Sequence, residues 1–293
     1  MKDAVRLLTY LAASVVLAAL LAPLLFWAAQ LLAAHHLFTF LAGFDFETFF
    51  HRALLVALLA LLWPLLRSIS IRNRSDLALE RNGHPLRDVL AGFLLAAFPL
   101  LCCGAFLIAL RIFSVRTAIN WLSFARLVGT AIVVPVIEET FFRGLVLGIL
   151  LRSRRKYLAI FGTSALYAIV HFLKAPDQTS PIVTWASGFN SIAHSFRQFA
   201  NPTLVMAAFT TLFLLGCILA DARVRTRSLW LPIGLHGGWI FVRGAFQVVT
   251  QRELLVLPWL GKNLLVGIVP LALAGLTWIL IRGWLKYADA GKT

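Results

Sequence analysis

The chain has 293 residues, of which 60% are hydrophobic and only 13% charged, and its mean hydropathy is +0.87. A water-soluble domain of this size does not carry so much apolar surface, so the composition indicates an integral membrane protein that has the lipid bilayer as a partner. The 27 Lys and Arg residues exceed the 12 Asp and Glu residues. The chain offers no polar face that could bind nucleic acid, and membrane topology explains the excess better.

Apolar runs predict the secondary structure, because a helix that crosses a bilayer needs roughly 20 apolar residues. The first run continues through Pro23 to Leu32, beyond the length of a signal peptide, and is expected to be an uncleaved anchor. The short polar breaks favour a single membrane domain over residues 1–293. The fold class is therefore all-α and polytopic, with about eight transmembrane helices, near 5–32, 50–68, 89–110, 122–151, 157–174, 202–221, 228–249 and 262–285.

Basic residues predict the orientation, since they favour the cytoplasmic side of a membrane. With the N-terminus inside, 17 of the 27 Lys and Arg residues fall on the inner side, in the first six residues and in 67–87, 152–156, 223–227 and 282–292. Nine fall on the outer side, and Arg143 lies well inside a span. Both termini are thus expected in the cytoplasm, with the protein in the cell inner membrane if the source is bacterial.

Three predicted spans carry ionisable residues, which cost about 2.5 to 3.5 kcal/mol each at mid-bilayer and therefore call for an explanation. The fourth span contains Glu138, Glu139 and Arg143, the fifth contains His171, and the seventh contains His236. Glu139 and Arg143 are four residues apart and share a helix face, which predicts an ion pair. Glu138 is rotated about 100° from Glu139 and is expected to face another helix.

A carboxylate beside two histidines can do hydrolytic chemistry. Glu138 with a neutral imidazole can hold a water molecule and take its proton near neutral pH. The second imidazole can donate a hydrogen bond to the developing oxyanion. Alternatively, Glu138, His171 and His236 can supply three ligands of an open catalytic site for a divalent metal such as zinc. The residues alone leave both options open, with a metal or with no cofactor.

Three motifs resemble those of a known family. They are EExxxRG at Glu138, Glu139, Arg143 and Gly144, a Tyr167-x-x-x-His171 version of FxxxH, and a segment that runs from Phe213 through Ser228, Leu229 and Trp230 to His236. Their order and spacing are similar to those of the CAAX prenyl proteases of the Ras-converting type and their bacterial relatives, grouped as CPBP intramembrane proteases. The resemblance covers roughly residues 122–245, which we identify as a protease-like core.

This resemblance implies an eight-span fold that encloses a polar intramembrane cavity, and endopeptidase activity on a membrane-associated protein or peptide. It also implies that Glu138 and His171 activate water, that His236 stabilises the oxyanion, and that Glu139 and Arg143 shape the site. Whether a member of the family uses a metal or acts as a glutamate-type protease is left open.

One position departs from the family pattern. The family usually has Asn or Asp four residues after the third-motif histidine, whereas this chain has Ile240. Trp239 lies at i+3 from His236 and its indole N–H is a hydrogen-bond donor, so Trp239 is a candidate oxyanion contact. The alternative is an aromatic residue packed beside Gly237 and Gly238.

Two other functions compete with proteolysis. A proton-coupled transporter also places Glu, His and Arg inside the membrane, but the ionisable positions here lack the paired arrangement of inverted repeats. A non-catalytic scaffold or immunity-type member of the family is compatible with Ile240. A protease would cleave a substrate, a transporter would move a solute, and a scaffold would do neither.

Overall fold

The computed structural model describes residues 2–79, 83–172, 182–196, 202–254, 256, 258–261 and 267–290. The regular secondary structure of these residues is helical except for one short strand pair and an isolated β-bridge between Val256 and Leu260, in agreement with the all-α prediction. Its strands are β1 Phe113–Val115 and β2 Thr250–Arg252. Its α-helices are α1 Lys2–Ala34, α2 Phe46–Ser68, α3 Pro85–Ala109, α4 Trp121–Glu139, α5 Leu147–Leu151, α6 Lys156–Phe172, α7 Ser187–Ser195, α8 Pro202–Thr226, α9 Trp230–Val249 and α10 Ile268–Ala290.

Each predicted span corresponds to a helix, with three differences of detail. The fourth span is not one α-helix, because a π-helical segment at Thr140–Val146 separates α4 from α5. The nine-residue helix α7 was not predicted, since it is too short and too polar to register as an apolar run. The strands β1 and β2 are three residues each and were also missed.

Five helices are long and apolar enough to cross a membrane: α1, α2, α3, Met206–Thr226 of α8 and Ile268–Ala288 of α10. These segments support an integral membrane protein. Helices α4, α6 and α9, which match the fourth, fifth and seventh predicted spans, are not among the five, and they carry the ionisable residues. The count of eight spans therefore stays a prediction.

The described chain divides into two compact units. The first comprises Met1–Arg72 and Ile169–Val205, and the second comprises Asn73–Ala168 and Met206–Thr293. In the first unit, α1 packs along α2 through small residues such as Ala18, Ala22 and Ala53, which are fully buried. Helix α7 contacts α1 and α2, and the Ser191 hydroxyl donates a hydrogen bond to the buried Glu47 carboxylate at 2.9 Å.

In the second unit, α3 packs closely along α9, and glycine residues make this close packing possible. A Cβ on Gly92 would collide with the carbonyl oxygen of Leu231, and a Cβ on Gly234 would collide with that of Val89. Small residues let two backbones approach within the reach of dispersion forces, which is the usual way in which membrane helices associate. This packing holds α9, the helix that carries His236, against α3.

Helix α8 is joined to α10 by polar as well as apolar contacts. A core of buried residues includes Ile218 and Leu219 of α8 and Ile281 of α10. At one end, the Asp221 carboxylate accepts hydrogen bonds from Arg225 at 3.0 Å and from the Trp278 indole at 2.9 Å. The Arg225 bond lies within α8, whereas the Trp278 bond to the carboxylate joins α8 to α10 and adds a directional contact to their apolar packing.

The two strands connect the C-terminal ends of α3 and α9. They pair antiparallel, with Ser114 opposite Gln251. Phe113 packs edge-to-face on Phe246 of α9, with ring centroids 4.8 Å apart. Because β1 follows α3 and β2 follows α9, the pairing places these two helix ends on the same side of the unit.

Candidate active site

The site is built around a change of helix type. Helix α4 ends at Glu139, and the next turn, Thr140–Val146, is π-helical and contains Arg143. A π-helical turn shifts the hydrogen bonds from i→i+4 to i→i+5, and such turns occur frequently at functional sites. The periodicity of apolar residues does not reveal this change, because it alters the backbone hydrogen bonds rather than the residue types.

Glu139 and Arg143 form the predicted ion pair. The Arg143 Nη1 donates to Glu139 Oε1 at 2.9 Å, and both side chains have no solvent exposure at all. Leaving either charge alone in this setting would carry a large desolvation penalty, which mutual pairing offsets. The geometry confirms the i, i+4 interpretation of the sequence.

The same carboxylate also contacts the third motif. The Nδ1 of His236 lies 2.8 Å from Glu139 Oε1, and the imidazole is only 5% exposed. An ionised carboxylate accepts hydrogen bonds, so Nδ1 carries the proton. Because the bond to Glu139 fixes this tautomer, the Nε2 of a neutral His236 is an acceptor. Local spacing predicts Arg143 as a partner of Glu139. It cannot predict the bond to His236, because the two residues are 97 positions apart in the sequence.

Glu138 lies on the other side of the His236 ring. Its Oε2 is 3.9 Å from His236 Nε2, and its side chain keeps 27% of its exposure. This separation is too long for a direct hydrogen bond, but one water molecule can bridge it. Glu138 and Glu139 therefore face opposite nitrogens of one imidazole, and Glu138 is the more accessible of the two carboxylates.

Aromatic side chains cover the buried charges. Tyr167 is 3% exposed, and its ring lies 4.3 Å from the Arg143 guanidinium carbon, which is a cation–π contact. The same ring packs edge-on to Phe142 and to His236, with centroid distances of 5.2 and 6.2 Å. In the sequence, Tyr167 is only a substitute for the phenylalanine of the second motif. In the structure, its ring contacts the first motif through Arg143 and the third motif through His236.

Close packing between helices brings these side chains together. A Cβ on Gly216 of α8 would lie 2.9 Å from Ser164 Cβ of α6, so this position has no room for a larger residue. The carbonyl oxygen of Gly216 also lies 3.5 Å from Arg143 Nη2. On the other side, a Cβ on Gly237 would come within 2.9 Å of the Ala131 carbonyl oxygen of α4. Glycine at these points lets α8 and α9 approach the helices that carry the charges.

The start of α9 is anchored by the Ser-Leu-Trp segment of the third motif. The backbone N–H of Leu229 donates to Ala78 O at 3.2 Å, and the Trp230 indole donates to Leu79 O at 3.1 Å. Leu229 is fully buried and packs beside Ala78. These contacts fix the start of α9, about two turns before His236.

Not every predicted site residue joins this group. Glu138, Glu139, Arg143 and His236 all belong to the second unit and come together there. His171 lies in the last turn of α6, is exposed, and belongs to the first unit, which includes Ile169–Val205. Its part in catalysis stays a prediction.

Trp239 lies away from these polar contacts. It packs against the apolar cluster of α3, α8, α9 and α10 and lines a cavity together with Arg243. This placement favours a packing role, and the role of Trp239 at the oxyanion stays a prediction. Ile240 is partly buried and offers only hydrocarbon.

In the described part of the chain, no group of three His, Cys, Asp or Glu side chains is arranged to hold an ion, and the metal alternative for Glu138, His171 and His236 stays a prediction. His236 uses its Nδ1 for Glu139, which leaves only Nε2 for any other partner. No step of the reaction proposed below is therefore assigned to a metal.

Comparison with known proteins supports the interpretation of the motifs. Residues 120–242 match the family model described as type II CAAX prenyl endopeptidase, Rce1-like. No curated protein and no solved structure shows significant similarity to the chain. The matched residues contain the π-helical turn, Tyr167 and the Glu139–His236 contact. The resemblance predicted from the three motifs is thereby confirmed over this segment, which is similar to the CAAX prenyl protease family.

Proposed function

We propose that the protein is an intramembrane endopeptidase that cleaves a membrane-associated protein or peptide with a water molecule activated by Glu138. The family match indicates CAAX-type protease activity in general terms. The observation that carries the specific mechanism is the 3.9 Å separation between Glu138 Oε2 and His236 Nε2, with His236 held by Glu139 on its other nitrogen.

In this mechanism both groups hold the nucleophile. A water between them donates one hydrogen to the Glu138 carboxylate and accepts one from the Nε2–H of a protonated His236, which leaves an oxygen lone pair for the substrate carbonyl carbon. Glu138 takes the proton as the carbon–oxygen bond forms, and it returns the proton to the leaving nitrogen as the carbon–nitrogen bond breaks. General acid–base catalysis of this kind contributes about 10² to 10⁴-fold.

His236 acts on the oxyanion in its protonated form. A neutral imidazole with its proton on Nδ1 has no hydrogen at Nε2, so it cannot donate to an oxyanion. The proposed mechanism therefore uses the imidazolium, whose Nε2–H donates first to the water and then to the oxyanion. Arg143 already balances the charge of Glu139, so the role that we propose for Glu139 is to orient His236.

His171 completes the proposal through the family resemblance. Its proposed role is to orient Glu138 and the water, as the second motif of the family implies. The substrate is proposed only by class, as a polypeptide attached to or inserted in the membrane.

A comparison of membrane peptides tests the function. Cells that express the wild-type protein, Glu138→Gln or Glu253→Gln would be compared for new C-termini and released peptides by mass spectrometry. Glu253 is an exposed carboxylate beside β2, so Glu253→Gln is a control for loss of one negative charge. Products should appear with the wild type and the control and be absent with Glu138→Gln. Identical peptide profiles for all three would favour a transporter or a scaffold.

A further inference from the structure

Arg243 is a partly buried cation of α9 that no acidic side chain of the described residues balances. It lies on α9, six residues before the helix ends at Val249, or about 9 Å along the axis. Its Nε is buried and makes no hydrogen bond, and no acidic side chain of the described ranges pairs with the guanidinium. An intramembrane arginine normally faces a partner or a polar ligand, because an unpaired charge is costly in hydrocarbon.

Arg243 lines a cavity whose other walls are mostly apolar. Leu100 of α3, Leu215 of α8, and Leu273 and Ala274 of α10 contribute to these walls. Trp239 stands beside Arg243 on α9. The cavity therefore combines one cationic end with a hydrocarbon surface, which matches an anionic amphiphile.

The two hydroxyl groups in the cavity do not compete for Arg243. Thr211 donates to Ala207 O at 3.2 Å, and Thr277 donates to Leu273 O at 2.9 Å. Both are therefore committed to their own helices. A peptide lying here would find few partners for its amide groups, and unsatisfied amides are costly in an apolar setting. A lipid has no such requirement, because its polar groups are confined to the headgroup.

The depth of the cavity also fits a lipid headgroup. The paired strands place the C-terminal ends of α3 and α9 on one side of the unit. Helix α10 begins on the same side, because the backbone N–H of Val269 donates to the Trp259 carbonyl oxygen close to the strands. Leu100 lies nine residues from the end of α3, and Pro270 lies two residues into α10. At 1.5 Å per residue, Pro270, Arg243 and Leu100 lie roughly 3, 9 and 14 Å from the ends of their helices. These depths fall within one leaflet of a hydrocarbon core about 30 Å thick.

We infer that this cavity binds an anionic phospholipid. Its phosphate pairs with the Arg243 guanidinium, whose planar fork suits two phosphate oxygens. The first part of an acyl chain packs on Leu100, Leu215 and Leu273. The site is separate from the proteolytic one and does not depend on the proposed function.

Thermal unfolding in lipid nanodiscs tests the inference. The protein would be compared in pure phosphatidylcholine and in a mixture with phosphatidylglycerol. Because a ligand that binds only the folded state raises its stability, the wild type should gain about 2 to 4 °C in the anionic mixture. Arg243→Gln should lose this gain, and Arg243→Lys should keep part of it. Arg126→Gln removes the same charge from an exposed residue of α4, so it should behave as wild type.

The outcomes separate the site from general charge effects. If the anionic mixture raised the unfolding midpoint equally for the wild type and Arg243→Gln, the inference would be overturned. It would also be overturned if Arg243→Gln and Arg126→Gln lost this increase to the same extent. If Arg243→Gln does not fold, Leu273→Trp narrows the cavity with the charge retained, and it should also reduce the gain. Repeating the measurement with Glu138→Gln keeps the result independent of proteolysis, since the lipid effect should persist in that variant.

Discussion

The carboxylate of Glu139 and the imidazole of His236 lie 2.8 Å apart although 97 residues separate them in the sequence. Arg143 uses the same carboxylate oxygen, so one atom joins the first and third motifs of the family. Glu139 hydrogen-bonds Nδ1 of His236 and so orients the ring, whereas Glu138 faces Nε2 and works with it in the proposed mechanism. The two adjacent glutamates should therefore fail in different ways when they are replaced.

Glu138→Gln and His171→Ala should each abolish cleavage with the fold retained. The glutamine amide cannot accept the proton of water, and loss of His171 leaves Glu138 without its proposed orienting partner. The rate of product formation by purified protein should fall about 10² to 10⁴-fold. Thermal unfolding of each variant is the control for folding. A Glu138→Gln enzyme that retained more than half of the wild-type rate would show that Glu138 is not the base.

Glu139→Ala should destabilise the protein more than Glu138→Ala. It leaves Arg143 buried and unpaired and removes the partner of His236, whereas Glu138 is partly exposed. Breaking a buried pair costs about 3 to 5 kcal/mol. Unfolding of both variants in the same detergent measures the difference. The double variant Glu139→Ala, Arg143→Ala should recover part of the loss, and equal midpoints for the two single variants would contradict the ion-pair interpretation.

Gly234→Ala should disrupt the packing of α3 on α9. The new Cβ would collide with the Val89 carbonyl oxygen, which belongs to the backbone and cannot rotate away. Overpacking of this kind costs about 1 to 3 kcal/mol. Gly275→Ala in α10 is the matched control, because a Cβ there meets nothing within 4 Å. The control should be neutral or slightly stabilising, and equal unfolding midpoints for the two variants would argue against the close approach.

Tyr167→Leu should destabilise the site more than Tyr167→Phe. The aromatic ring covers the Arg143 guanidinium at 4.3 Å, and phenylalanine preserves that ring. A desolvated cation–π contact contributes about 2 kcal/mol. Unfolding midpoints of the two variants provide the measurement. If Tyr167→Phe lost as much stability as Tyr167→Leu, the hydroxyl group rather than the ring would be the important part of Tyr167.

Cysteine labelling should find Ser153 and Thr226 accessible from the cytoplasm and Gln178 and Gln251 accessible from outside. The expectation follows from the distribution of basic residues between the two sides. Gln178 lies outside the described residues, so this test rests on the sequence alone at that position. Labelling of Gln178→Cys only from the cytoplasmic side would overturn the eight-span topology from the fifth helix onward.

Local spacing predicted the elements of the fold and one contact of the site. Helix positions followed from apolar runs, since the hydrocarbon core sets a minimum length for each span. The Glu139–Arg143 pair followed from the i, i+4 geometry of a helix. The π-helical turn at Thr140–Val146 escaped prediction, because it changes backbone hydrogen bonds without a distinctive residue pattern.

The sequence by itself determined that this is a helical membrane protein, and it singled out Glu138, Glu139, Arg143, His171 and His236 as candidate site residues, because ionisable residues in apolar runs stand out wherever the chain folds. Only the tertiary structure decided that Glu139 serves His236 as well as Arg143, and that Arg243 faces an apolar cavity rather than the His236 contacts. The physical reason is that these relationships join α4, α8, α9 and α10. The approach of these helices depends on interhelical packing at glycines such as Gly92, Gly216 and Gly234, which no periodicity within one helix encodes.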